Sequence, residues 1–310
     1  MTEEMDPYGD SVTPEGLSPV KHVQEVQIAE DKDFDAIKEM IYRYGAVQSS
    51  IYMDMGGTKV TSEYYDPENT SYYYNGEDEV NHDILIIGWD DDYPAENFTK
   101  TPSKNGAFLC QNSWGEGFGD GGRFYVAYDD TQIGRNCVAY TRIDGIDNYD
   151  YLYQTDLCGW VGNMGYKKES CWFANVYTAD STQTLRAVGF YATGPESDYE
   201  IYVAADFKNE MSLVLPKKIQ KGHLERKGLY TIDLKKEISI AEGERFAVMV
   251  KINTPGSDYP VAMEYRADDQ TANVNLEDGC GYVSVDGYRW SRIEEEYGGN
   301  ICLKAYTENR

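Results

Sequence analysis

Apolar positions along the chain follow two rhythms. Over Asp31 to Tyr44 (DKDFDAIKEMIYRY), Phe34, Ile37, Ile41 and Tyr44 recur at helical spacing. Acidic residues crowd the start of this run and Gly45 follows its end, which suits the helix dipole and a left-handed C-terminal cap, so a helix is predicted there. Residues 1 to 30 hold Pro, Gly and acidic residues without a sustained period. From Ala46 onward the period shortens, and AVQSSIY, HDILIIGW, GAFLCQNS, GRFYVAY and CVAYTRI read as strands between Gly- and Asp-rich turns. The first unit is thus a helix followed by an antiparallel sheet or barrel.

An acidic turn cluster, DGIDNYD (144 to 150), interrupts this pattern. Beyond it come evenly spaced β-runs: CWFANVYT (171 to 178), TLRAVGFYA (184 to 192), YEIYVAAD (199 to 206), ERFAVMVKI (244 to 252) and NICLKAY (300 to 306). Short strands at that spacing predict a β-sandwich of jelly-roll kind. The expected class is mainly β, α+β overall, with domains at 1–147 and 148–310. No internal repeat or low-complexity tract breaks this division.

Composition narrows the possible partners. The 310 residues carry 28 Lys+Arg against 54 Asp+Glu, a net charge of −26. Charge of that sign argues against nucleic acid or an anionic membrane as the main partner, because neither would be neutralised. The longest clean apolar run, Ile84 to Gly88, is strand-sized, far below the ~18 residues of a membrane span. The opening MTEEMDPYGD lacks the charged-then-apolar pattern of a signal peptide. Six cysteines (110, 137, 158, 171, 280, 302) form no CxxC pair and no metal-like spacing with the three histidines, so neither metal nor cofactor is expected. Cys110 and Cys137 fall on neighbouring predicted strands, and the sequence leaves a disulfide and two buried thiols equally open.

Two segments stand out chemically: VNHDILIIGWDDD (80 to 92) and GAFLCQNSWGEGFGDGGRFYVAY (106 to 128). Together they resemble the C-terminal half of the catalytic domain of papain-like cysteine peptidases, in which an N-H-x strand supplies the catalytic His and an N-S-W-G segment supplies the Asn that orients it. GAVQSS (45 to 50), after the helix, also follows that family's order. The resemblance implies that His82 is the general base, Asn112 accepts from the ring nitrogen facing away from the sulfur, and Trp114 covers that bond. It also places Ser49 and Asp83 in the main substrate pocket, where polar side chains would favour a basic or polar substrate residue. The family's Q…C-G-x-C-W element is missing: no cysteine occurs among the 81 residues before His82. The resemblance therefore implies a nucleophile and oxyanion hole supplied by sequence absent here, and Met1 beginning inside the family's usual domain. Cys110 lies two residues from Asn112 on one predicted strand, but its surroundings read as sheet core. His22 and His223 lack a partner pattern and read as surface or structural residues.

The segments YQTDLCGWVGNMGY (153 to 166), WFANVYTA, VGFYATGPESDYEIYV and GERFAVMVKINTPG resemble the lectin-like domain that accompanies papain-like peptidases in some anaerobic bacteria and archaea. Trp160, Tyr166, Trp172 and Trp290 are candidates for stacking on sugars, against the plainer reading that they fill the sandwich core and its rims. The acidic clusters WDDDYP, YDD and DGIDNYD have no EF-hand spacing and read as solvated loops rather than calcium sites. The expected function is that of the C-terminal portion of a secreted or cell-surface papain-like peptidase acting on protein or peptide substrates, possessing a cell-surface glycan as a second candidate partner. The alternative is a non-catalytic glycan- or protein-binding adhesion module.

Overall fold

Asp33 starts the one long helix among the described residues, α1 (Phe34–Tyr44): its carboxylate accepts the Ala36 N–H at 3.0 Å, and Gly45, at φ +92°, closes the far end by donating its N–H to the Ile41 carbonyl at 2.8 Å. Ile37, Met40 and Ile41 face the core. Tyr44, expected on that face, is exposed instead: 3.6 residues per turn does place it in line with Ile37 and Ile41, but it is the last residue of the helix, and Met40 is the third residue buried on this face. Asp33→Ala removes the cap and should lower the stability of this unit by about 1 kcal/mol in a urea titration, with Asp33→Asn costing less.

The computed structural model describes residues 18–56, 61–214 and 216–310, so the acidic opening MTEEMDPYGD lies outside the described residues. The chain divides into two compact units, Val26–Thr141 and a second made of Arg142–Arg310 with the segment ending at Glu25. The first unit contains β2 (Val47–Ile51), β3 (Tyr65–Asp66), β4 (Ser71–Tyr72), β5 (His82–Asp90), β6 (Ala107–Gln111) and β7 (Arg123–Ala127), while the opening strand β1 (His22–Ile28) and β8 (Arg135–Asp144) run across its two boundaries. Their order is β3-β4-β7-β6-β5-β2-β8-β1. β1 was not foreseen, because the buried position in HVQEVQI is Gln24, a polar residue that masks the alternation. On β2 the residues facing the core are Val47, Ser49 and Ile51, and on β5 they are Ile84 and Ile86. With Phe108, Cys110, Phe124 and Val126 these close over the apolar face of α1.

Asp130 corrects the reading of YDD as a solvated loop. It is fully buried, and its carboxylate accepts the N–H groups of Tyr74, Gln132 and Ile133 at 2.8–2.9 Å. Burial raises its pKa while those three bonds pull the other way. All six cysteines are free, so Cys110 and Cys137 are buried thiols rather than a disulfide.

The second unit is a β-sandwich. It contains β9 (Tyr151–Tyr153), β10 (Gly162–Met164), β11 (Ser170–Thr178), β12 (Gln183–Ala192), β13 (Ser197–Ala204), β14 (Lys217–Leu224), β15 (Lys227–Ile240), β16 (Arg245–Asn253), β17 (Val261–Tyr265), β18 (Gly281–Ser284), β19 (Ser291–Arg292), β20 (Gly299–Ile301) and β21 (Leu303–Asn309). Six strands run in the order β14-β13-β16-β11-β18-β19, four in the order β15-β12-β21-β9, and β10-β17-β20 form a small third sheet. Phe173, Ile201, Val248 and Val250 from the first set meet Val188, Phe190, Leu303 and Ala305 from the second in one core. Two charges are buried beside it: the Asp156 carboxylate is fully covered and is paired with the Lys304 ammonium.

Candidate active site

β5 and β6 are antiparallel neighbours, with Leu85 opposite Gln111 and Ile86 opposite Cys110. This register brings His82, at the start of β5, to Asn112, one residue beyond the end of β6. His82 Nε2 and Asn112 Oδ1 lie 2.8 Å apart, and the Ser113 N–H donates to the same oxygen at 2.8 Å. An oxygen that accepts from Ser113 also accepts from the imidazole, so the proton is on Nε2 and the lone pair is on Nδ1. Among the described residues Nδ1 has no hydrogen-bond partner. The Trp114 ring lies 5.0 Å from the imidazole, and its other contacts anchor it: Phe118 at 5.1 Å, itself 5.3 Å from the buried Phe124.

Backbone bonds hold this corner. Asn112 donates its N–H to the Gly122 carbonyl at 2.8 Å, and Gln111 Nε2 donates to the same carbonyl at 3.0 Å. Gly122 sits at φ +86°, and a Cβ there would lie 2.5 Å from Gln111 Nε2. Gly122→Ala should therefore cost about 2 kcal/mol in a thermal melt, whereas Gly117→Ala, with open space around it, should be nearly silent. Asn81 holds the other side, and its role was not anticipated: its Oδ1 accepts the Met53 N–H at 2.7 Å and its Nδ2 donates to the Met53 carbonyl at 3.2 Å. The signal was its place immediately before His82.

The expected pocket residues separate. Ser49 does not line a cavity: it is fully buried, donates to the Arg135 carbonyl at 3.1 Å and accepts the Gly134 N–H at 3.2 Å. Strand alternation turns Ser50 outward instead, opposite Asp83, and its hydroxyl donates to that carboxylate at 2.7 Å. Asp83 lines an open cavity of about 330 Å³ together with Gln48, Leu85, Gln111, Asn112 and Ser113. Leu85, Trp89 and Trp114 leave apolar surface exposed on this unit. Cys110 is wholly buried, and burial pushes its thiol well above the usual cysteine range, so it supplies no thiolate to His82.

The four aromatic candidates do not form one platform. Trp172 and Trp290 are neighbours at 6.4 Å, edge to face, and Trp172 also packs on Tyr202 at 4.8 Å and against Gly287. Trp160 lies instead by Tyr191, with its N–H bonded to Asn163, and Tyr166 packs on the sandwich core. His22 binds Asn148 at 2.7 Å, and His223 sits between Asp198 and Glu196. Among the described residues no group of three or more His, Cys, Asp or Glu is arranged to hold a metal ion, and no helix is long and apolar enough to cross a membrane.

The chain was compared with known proteins. Residues 2–143 match the model of the papain family cysteine proteases, and residues 152–307 match that of the lectin like domain. No curated protein matches the sequence. Among solved structures, the clostridial cysteine protease Cwp84 after propeptide cleavage superposes with a TM-score of 0.82 at 23% identity, over 97% of this chain and 75% of that one. The cysteine protease and lectin-like domains of Cwp84, a surface layer associated protein of Clostridium difficile, give 0.78 at 22% identity, over 96% of this chain and 66% of that one. At these identities the likeness is one of fold. It extends across both units, in the order in which the two family models match. The chain thus belongs to the lectin-like family, whose model spans residues 152–307, and carries before it, over residues 2–143, a match to the papain family of cysteine proteases.

Proposed function

We propose that His82 and Asn112 are the base and its orienting residue in a peptidase whose nucleophilic cysteine comes from polypeptide outside these 310 residues. The observation that carries this reading is the 2.8 Å bond from Nε2–H to Asn112 Oδ1, which leaves the Nδ1 lone pair unengaged. A thiol brought to Nδ1 would give up its proton there, and the thiolate would attack the peptide carbonyl. The imidazolium would return that proton to the departing amine, leaving a thioester that water then cleaves. Asn112 fixes the tautomer without adding a charge, and Trp114 shelters the bond. Asp83, with Ser50 holding one of its oxygens, is the pocket residue for a basic side chain of the substrate. The proposed domain boundary near residue 147 falls a few residues beyond the end of the first compact unit at Thr141, and the chain by itself has no turnover. By likeness to a surface layer associated protein, the site of action is the cell surface or beyond it.

The test is peptide hydrolysis by this chain joined to a papain-family lobe bearing the Q…C-G-x-C-W element, with His82→Ala as the paired control. Turnover lost in His82→Ala supports the reading. Turnover equal in both, or absent from both, rejects it in favour of a non-catalytic adhesion module, for which binding of a glycan or protein by the sandwich would be the activity.

A further inference from the structure

The acidic balance of the chain reverses over one short stretch. Residues 217–236 (KKIQKGHLERKGLYTIDLKK) hold seven Lys and Arg against two acids, a local charge of 7 − 2 = +5 in a chain of −26. This stretch covers β14 and much of β15, which belong to different sheets of the sandwich, β14 being the outer strand of its own. Gln220 joins them: its Nε2 donates to the Asp233 carbonyl at 3.1 Å and its Oε1 accepts the Lys235 N–H at 3.0 Å. β15 is free to approach there because its pairing with β12 shifts register between Leu185 and Ala187, which face Ile238 and Asp233. Gln220 thus ties the outer strand, which carries Lys217 and Lys221, to the stretch of β15 that carries Lys235 and Lys236.

The acids around this edge are already engaged. Glu200, opposite Lys221 in the register, is held by Lys218 at 2.6 Å and by Tyr202. Asp233 binds Arg142 and Tyr149, and Glu237 binds Arg186. Lys217, Lys221, Lys235 and Lys236 are exposed and, among the described residues, have no carboxylate partner. Four exposed ammonium groups on these two tied segments, with the neighbouring carboxylates neutralised by other cations, give this side of the sandwich a local positive charge.

We infer that this edge of the sandwich binds a flexible anionic polysaccharide. The rest of the chain decides the partner. Charge is screened beyond ~8 Å at physiological ionic strength, so a thin chain lying along the edge meets the lysines without meeting the acidic remainder. A membrane or a DNA duplex presents a broad charged surface that would bring that remainder into repulsive contact. Single-stranded nucleic acid is disfavoured too, because β14 (KKIQKGHL) carries no Phe, Tyr or Trp on which a base could stack, and its one ring, His223, is held by Asp198 and Glu196. Lysine point charges, rather than arginine forks, suit sulfate or carboxylate groups at irregular spacing.

The experiment titrates the full chain with dextran sulfate, uncharged dextran and duplex DNA at low and physiological salt. Two fourfold variants are compared, Lys217, Lys221, Lys235 and Lys236→Gln, and Lys21, Lys104, Lys167 and Lys168→Gln; both carry −26 − 4 = −30. The expected result is salt-dependent binding of dextran sulfate alone, weakened roughly tenfold or more in the first variant and little changed in the second. Equal weakening in both variants, no binding by the parent chain, or equally tight binding of DNA overturns the inference. So does a first variant that binds normally but self-associates in light scattering, since the lysines would then only protect an outer strand from pairing.

Discussion

Purified alone, the chain should hydrolyse no peptide through a thiol, and electrophilic peptide inhibitors of cysteine peptidases should label nothing near His82. A base accelerates hydrolysis only if it has a nucleophile to activate. Cys110 is buried with its thiol held protonated, and burial pushes Cys137 up to about 11. In a form that includes the cysteine, His82→Ala should lower kcat/KM by roughly 10³-fold or more, and Asn112→Ala by less, since it loosens the imidazole without removing it. The decisive control is Cys110→Ala. Turnover that vanishes in this variant, while a mock purification has none, would make the internal thiol the nucleophile and end the present reading.

Lys304→Met should destabilise the sandwich by about 3–5 kcal/mol in urea, the largest effect expected from any single change to its ion pairs. The ammonium lost is the partner of a fully buried carboxylate, and most of the other ion pairs are partly exposed and worth little. Asp156→Asn added to this variant should recover much of the loss, because a neutral amide does not need the cation. The pH dependence has a definite sign. Burial raises the Asp156 carboxyl and Lys304 opposes that, so the folded-state value in Lys304→Met lies further above the ordinary aspartate range. A group raised in this way contributes stability below its unfolded value and loses it as pH rises through the folded one. The variant should come nearest to the parent chain at pH ~4 and fall furthest behind it at neutral pH. A deficit identical at both would place the cost elsewhere.

Where side chains announce their own periodicity, the sequence was sufficient. Ile37 and Ile41 marked α1, and HDILIIGW and AFLCQ marked the two strands that carry His82 and Asn112. The failures occur where polarity hides the phase. In VQSSI nothing distinguishes the inward from the outward serine, since both are small and polar, and only the pairing with Asp83 shows that Ser50 is the one turned away from the core. β14 and β15 carry lysines where alternation would need apolar residues, so KKIQKGHL does not read as a strand. Asp130 looked solvated because a carboxylate in a turn usually is; its three N–H donors come from Tyr74, Gln132 and Ile133, and the first is 56 residues away. The aromatic candidates were separated by packing that composition does not report, with Trp172 set against Gly287 and Tyr166 against the core.

The strand order of the first unit also sets a folding sequence. β5 and β6 adjoin along the chain, so the His82–Asn112 bond closes a loop of only 30 residues. β2 and β8 also lie side by side, Gln48 opposite Val138, yet nearly the whole unit separates them along the chain. Loop-closure entropy makes the second pairing the costlier to reach from the unfolded chain, and non-local contacts of this kind slow folding. The corner bearing the imidazole and its amide should acquire protection from hydrogen exchange before the seam between β2 and β8 does. A nascent or partly unfolded molecule would then carry its base already oriented while the sheet around it is still open.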